Sequence, residues 1–250
     1  MLEVRGITQR FGGITALEDI SFRVSKGEIT GVIGPNGAGK TTLFNIVTGL
    51  YTQTAGSVIL DGSDISRLPA ENLASKGLVR TFQNIELFGN MTVLENVMLG
   101  LHTRSHSGIL ACMGKMPWHL REEKKIRAEA ILWLEFCGIA DLADQTAANL
   151  PFGKGRFLEI ARAMAVKPVI MLMDEPAAGL NNRETNELAV LIRKIRDTGV
   201  TVVLVEHDME LVMDICDRIV VLNLGKLLAE GTPRDIQENP AVIAAYLGEG

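Results

Sequence analysis

The run Gly34-Pro35-Asn36-Gly37-Ala38-Gly39-Lys40-Thr41-Thr42 constrains this chain more than any other segment. A short apolar stretch, Ile29 to Ile33, leads into it, and Leu43, Ile46, Val47 and Leu50 follow at three- and four-residue spacing. The loop therefore joins a strand to a helix. Its glycines let backbone N–H groups converge on phosphate oxygens, and the start of the helix adds a favourable potential for anions. Lys40 supplies a cation for the β- and γ-phosphates, and the Thr41 hydroxyl can ligate Mg²⁺. A glycine-rich turn could share this composition; the strand before and the helix after are what the phosphate reading requires.

Two carboxylates complete such a site. Met171-Leu172-Met173 ends in Asp174-Glu175, which puts Asp174 at the carboxyl end of a buried strand, beside a phosphate-bound Mg²⁺. Glu175 then points to where an attacking water would lie and can accept its proton. Strands often end in acidic turns, so the pair gains its meaning from the glycine loop. His207 follows the next apolar strand in Leu204-Val205-Glu206-His207-Asp208. It reads either as a γ-phosphate contact or as a helix-start histidine with Asp208 near the cap.

Around these motifs, continuous apolar runs (Val169 to Met173, Val200 to Val205, Ile219 to Leu222) alternate with helical stretches (Arg183 to Arg196, Met209 to Cys216). That pattern belongs to a mainly parallel sheet covered on both faces. The amino-terminal part alternates instead, with Ile20, Phe22 and Val24 on one face, and Val58 to Leu60 runs into an Asp61-Gly62 turn. These are the marks of a small antiparallel sheet. Between them, residues 84–164 carry helical periodicity, including an amphipathic stretch from Glu122 to Cys137. Leu101 to Trp118, rich in Gly, Ser and Met, reads as a loop or insertion. Asn223-Leu224-Gly225 reads as a hairpin turn and Pro240 to Leu247 as a last short helix. The expected fold is α/β: one domain over residues 1–250, its core at about 1–83 and 165–250, with a helical subdomain at about 84–164.

Composition narrows the setting. The chain has 250 residues, 47% apolar, enough for a sizeable core, and a net charge of −5 offers no field for nucleic acid. No apolar run approaches the ~18–20 residues that span a bilayer. The start, MLEVRGITQRFGG, has no apolar signal region and is expected to remain in the protein. Cys112, Cys137 and Cys216 are scattered and read as plain buried thiols of a reducing compartment. His102 and His106 stand four apart, but no helical pattern or further ligand surrounds them. The charge run Arg121 to Arg127 reads as a solvated helix face.

Taken with these motifs, the chain resembles the ABC transporter ATPases over essentially its whole length, which implies the P-loop NTPase (ABC ATPase) fold and the cofactors ATP and Mg²⁺. Gln83 in RTFQN matches the family's Q-loop, whose glutamine contacts Mg²⁺ and water. AAGLN (Ala177 to Asn181) matches the D-loop, and His207 matches the switch histidine. Phe11, before Gly12-Gly13, stands where the family stacks an aromatic ring on adenine; by residue type alone it could equally be a core side chain. RTFQNIELF, MTVLENV, PAAGLN, VEHDMELVM and NPAVIAAYLGEG are similar to the branched-chain amino acid importer ATPases of the LivG type.

That resemblance implies a head-to-tail dimer with a second ATPase subunit, another copy or a related chain. It further implies two transmembrane permease subunits, a solute-binding protein acting indirectly, and a place on the cytoplasmic face of the plasma membrane. Related ATPases serve urea or other amides. A non-transport ABC ATPase would carry coiled-coil inserts or tandem domains, and a P-loop phosphotransferase would leave Gln83 and His207 without a role.

The signature loop departs from the family. Where LSGGQ is usual, the chain has Leu150-Pro151-Phe152-Gly153-Lys154. Pro151 brings neither a hydroxyl nor an N–H. The resemblance implies that Gly153 and Lys154 meet ATP held by the opposite subunit. Replacing Gly153 with a bulky residue should therefore depress the ATPase rate of the assembled transporter, and an untouched rate would refute a working loop.

Overall fold

In the computed structural model, residues 1–83, 85–102 and 117–247 are described. The elements run β1 (Leu2–Phe11), β2 (Ile14–Val24), β3 (Ile29–Ile33), α1 (Lys40–Val47), β4 (Ala55–Leu60), β5 (Ser63–Asp64), α2 (Ala70–Ser75), β6 (Leu78–Thr81), α3 (Val93–His102) and α4 (Pro117–Phe136). After them come α5 (Phe152–Ala165), β7 (Ile170–Asp174), α6 (Asn182–Asp197), β8 (Thr201–Val205), α7 (Met209–Ile215), β9 (Arg218–Asn223), β10 (Lys226–Gly231), α8 (Pro233–Gln237) and α9 (Pro240–Leu247). Two compact units result, Met1–Gln83 with Val169–Gly250, and Asn84–Pro168.

The first unit holds both sheets. One has the order β10-β9-β3-β8-β7-β6. Within it β6, β7, β8, β3 and β9 run parallel, and only β10 returns antiparallel through the Leu224-Gly225 turn. Every residue of β3, β7 and β8 is buried, as continuous apolar runs require of strands covered on both faces. The other sheet, β2-β1-β4-β5, is antiparallel. Ile20, Phe22 and Val24 of β2 turn inward while Ser21 and Arg23 face solvent, so the period of two is realised. One core packs Leu2, Val4 and Ile20 of this sheet with Leu43 and Phe44 of α1 and with Leu172 and Val203 of the parallel sheet.

The second unit is helical. Helix α4 begins before Glu122 and ends at Phe136, with Ala130, Leu134 and the following Cys137 buried. Arg127 on its charged face pairs with Asp144 at 3.7 Å. The stretch expected as a loop from Leu101 to Trp118 is helical at both ends, in α3 to His102 and in α4 from Pro117, and residues 103–116 between them, with Cys112 and His106, fall outside the described residues. No helix among the described residues is long and apolar enough to cross a membrane. Cys137 and Cys216 are buried, and burial pushes the Cys216 thiol up to about 12.

β3 must deliver the glycine loop against the end of β9. Gly34 does so at φ 150°, and a Cβ there would lie 2.0 Å from the Leu222 carbonyl oxygen. Backbone cannot yield that distance. Gly34→Ala should cost about 3 kcal/mol or more in chemical denaturation through overpacking and strain.

Candidate functional site

The glycine loop leaves β3 and becomes α1 at Lys40, with Gly39 as the helix cap at φ 101°. A Cβ on Gly39 would lie 2.9 Å from the Ala16 carbonyl oxygen, so this step needs glycine for its space as well as its angle. Ala38 N–H bonds the Pro35 carbonyl at 3.1 Å, and Gly225 N–H bonds the Ala38 carbonyl at 3.1 Å. The β9–β10 turn thus pins the loop from behind. Lys40 is 6% exposed, and its ammonium donates to the carbonyl oxygens of Gly34 at 2.5 Å and Pro35 at 2.9 Å. A buried cation needs such oxygens around it, and phosphate oxygens can take their place.

In front of the loop lies a cavity of about 440 Å³. Asn36, Gly37, Ala38, Gly39, Lys40, Thr41 and Thr42 line it, together with Glu175 and His207. Nothing stands within 4 Å of where a Cβ on Gly37 would project. The first N–H groups of α1 have no helical acceptor. Open glycine backbone, the first N–H groups of a helix and a buried ammonium suit a polyphosphate.

Glu175 sits at the edge of this cavity in an unusual backbone state, φ 47°. Its N–H is tied to the Val205 carbonyl at 2.9 Å. One side-chain oxygen, Oε2, accepts from Gln83 Nε2 at 2.6 Å, and Oε1 lies 2.7 Å from His207 Nε2. The structure therefore gathers Gln83, Glu175 and His207 into one hydrogen-bonded row across the ends of β6, β7 and β8. Asp174, one residue earlier, is nearly buried and pairs with Arg80 through Oδ2 at 2.5 Å. No hydrogen bond reaches its Oδ1 from the described residues. No cluster of three or more His, Cys, Asp or Glu that could hold a metal exists among the described residues. A metal here would take Asp174 Oδ1, the exposed Thr41 hydroxyl and phosphate oxygens, the mixed shell that Mg²⁺ favours.

Not every expected residue reaches the cavity wall. Gly34, Pro35, Gln83 and Asp174 are not among the residues that line it. Phe11 is exposed and meets Tyr51 edge-on at 5.6 Å; its ladder partner Ile14 lines the cavity in its stead, with Leu224. Gly153 and Lys154 belong to the helical unit. There Pro151 caps α5 without a side-chain bond, Gly153 is buried, Phe152 is exposed, and the Lys154 ammonium stands 5.3 Å over the Phe157 ring. Asn182 is the first residue of α6, behind an Asn181–Glu184 capping box.

One residue escaped the motif reading. Glu206 is 4% exposed and accepts from Ala177 N–H at 2.7 Å, His207 N–H at 3.0 Å and Asp208 N–H at 3.4 Å. It fastens the turn after Glu175 to the turn that carries His207. Its adjacency to His207 was the only signal. Burial raises its carboxyl above the ordinary range, and the three N–H groups lower it only in part. A raised folded value means that its contribution is fullest at low pH and is lost as pH rises through that value. Glu206→Gln does not titrate. The stability of the wild type minus that of the variant should decline as pH rises through the carboxylate range; denaturation curves that give a flat or rising difference would contradict this.

Comparison with known proteins agrees with this geometry. The family model for ABC transporter matches residues 17–178, and the model for Branched-chain amino acid ATP-binding cassette transporter matches residues 226–250. The high-affinity branched-chain amino acid transport ATP-binding protein BraF of Pseudomonas aeruginosa is 48% identical over 250 residues, 100% of this chain and 98% of that protein. The ADP conformation of MJ1267, an ATP-binding cassette of an ABC transporter, superposes with a TM-score of 0.86 at 30% identity, covering 99% of this chain and 98% of that one. A dimeric post-hydrolysis state of the cassette MJ0796, bound to ADP and Pi, gives 0.78 at 28% identity, covering 94% and 99%. With its phosphate loop, paired carboxylates and whole-length similarity, the chain belongs to the ABC transporter ATP-binding family, in the branch of the branched-chain amino acid transport ATP-binding proteins.

Proposed function

We propose that this chain binds and hydrolyses ATP to drive an importer of branched-chain amino acids. The observation that carries the reading is Glu175, held between Gln83 and His207 at the mouth of the glycine loop. A carboxylate fixed by both oxygens beside a phosphate cradle can aim one lone pair at a water and take its proton. Lys40 and the N–H groups of the loop neutralise the β- and γ-phosphates, and His207 reaches the γ-phosphate from the end of β8. Asp174 and Thr41 would hold Mg²⁺ with help from Gln83, and the ion would supply charge stabilisation at the phosphate oxygens. Ile14 and Leu224 offer apolar surface for the base, with Phe11 directly across the ladder from Ile14.

The site is half of a shared one on this reading. Gly153 and Lys154 would meet nucleotide held by a second ATPase subunit in a head-to-tail dimer, and closure would pass through the Gln83 loop to two permease subunits. The solute-binding protein would act only through them. BraF, named for branched-chain amino acid transport, supports the solute class, and the MJ0796 dimer supports pairing. The chain itself would lie against the cytoplasmic face of the membrane and would need no nucleic acid.

Glu175→Gln keeps the hydrogen bonds' reach but loses the basic oxygen. It should bind ATP about as tightly as the wild type while hydrolysis falls by roughly 10²–10⁴-fold, the usual contribution of a general base. Phosphate release and nucleotide binding, measured on the same preparation, check this. Undiminished turnover would remove Glu175 from the role.

A further inference from the structure

Arg80 has no part in that chemistry, yet its guanidinium meets three side chains by hydrogen bonds and two aromatic rings. It stands on β6, 8% exposed in its side chain. Nη2 donates to Asp174 Oδ2 at 2.5 Å. Nη1 donates to Asn45 Oδ1 at 2.7 Å and to Thr48 Oγ1 at 3.1 Å. Thr48 is itself fixed, its hydroxyl donating to the Phe44 carbonyl at 2.7 Å. The guanidinium carbon lies 5.9 Å from the centre of the Phe44 ring and 5.0 Å from that of Phe82.

Neutralising Asp174 would need one ammonium and no more. A guanidinium instead presents a rigid planar fork, so groups bound to its different nitrogens are held at set distances from one another. Here one arm holds β7 by Asp174 and the other holds α1 by Asn45 and beside Thr48. Helix α1 also carries Thr41. The two elements that offer oxygen to a metal are therefore joined by a side chain that is not among the residues lining the cavity. With Oδ2 taken by Arg80, Asp174 is turned so that Oδ1 alone remains for an ion.

We propose that Arg80 is a positioning residue of the metal site: it fixes the Asp174 carboxylate against α1, so that Oδ1 and the Thr41 hydroxyl address the same ion. This rests on the Mg²⁺ assignment made under the proposed function. A plain counter-charge makes the opposite forecast, which gives the test its sign. If Arg80 only neutralises Asp174, its removal frees the carboxylate and tightens metal binding. If it positions Asp174, its removal weakens metal binding although a repelling cation has gone.

Mn²⁺ serves as the probe, its free-ion electron paramagnetic resonance signal titrated with the full chain saturated by a non-hydrolysable ATP analogue. Arg80→Met should weaken Mn²⁺ binding about tenfold, with Asn45→Ala weaker by about threefold, while analogue affinity in EDTA stays within about twofold of wild type. Asn45→Ala keeps the charge and loosens only the fork, so a counter-charge role leaves it unmoved. Equal or tighter Mn²⁺ binding by Arg80→Met overturns the proposal. If that variant does not fold, Arg80→Lys and Asn45→Ala decide, since both retain the charge and lose a fork contact; unchanged Mn²⁺ affinity in both overturns it as well. Failure of the functional reading shows separately, as a wild-type chain that binds no nucleotide even in EDTA.

Discussion

The parallel pairing of β7 with β8 fixes where everything else in the site can stand. Its register sets Asp174 opposite Val205, and the ladder continues one step beyond the strand with Glu175 N–H on the Val205 carbonyl. Parallel strands finish at the same level, so the residues that follow each strand emerge side by side. Glu175 leaves β7 as Glu206 and His207 leave β8. β6, paired to β7 with Thr81 opposite Met173, releases Gln83 at the same edge. A slip of one residue between β7 and β8 would carry Glu175 away from His207, and a slip between β6 and β7 would carry it away from Gln83.

That edge concentrates acid, and the structure handles each carboxylate differently. Asp174 is matched by Arg80, a permanent charge. Glu175 is left partly accessible between the Gln83 amide and the His207 imidazole. Among the described residues no cation stands against Glu206; three backbone N–H groups serve instead, which cannot fully repay the loss of water. The backbone of Glu175, at φ 47°, adds strain of about 1–3 kcal/mol. The strained turn is braced at both ends, by Val205 before it and by Glu206 through Ala177 after it. Strain kept under such restraint aims the side chain instead of relaxing it away from the loop.

Much of this was legible in the residues. Buried parallel strands announce themselves as unbroken apolar runs, so β3, β7, β8 and β9 and the loops they carry could be placed. The Asp61-Gly62 and Leu224-Gly225 turns were readable because they need left-handed backbone. β6 was not, for Leu78-Val79-Arg80-Thr81 is too short and too polar to resemble a core strand. Its arginine is buried only because Asp174, far off in sequence, supplies the opposite charge. Glu206 hid in the same way: beside a histidine it looks like part of a polar turn, and only the fold brings Ala177 to it. Phe11, at the end of β1, stands against Tyr51, and its ladder partner Ile14 lines the cavity, a neighbour that no motif pointed to.

The altered loop before α5 can be judged by the same physics. A serine at a helix cap offers its oxygen to the helix's own first N–H groups, and Pro151 cannot. Its fixed φ, −54° here, still sets the chain on course for a helix, and Gly155 N–H closes on the Pro151 carbonyl at 3.0 Å. The helix therefore starts where it should without the hydroxyl. What changes is that Pro151 brings no side-chain acceptor to the first N–H groups of α5. Lys154 sits over the Phe157 ring, which holds a cation one short turn from those N–H groups. The proposed contact with a partner's nucleotide then depends on backbone and on one lysine, and loses the hydroxyl that could discriminate by hydrogen-bond geometry. Such a contact would be more sensitive to salt than one made by a neutral hydroxyl, because an ammonium–phosphate attraction near the surface is screened.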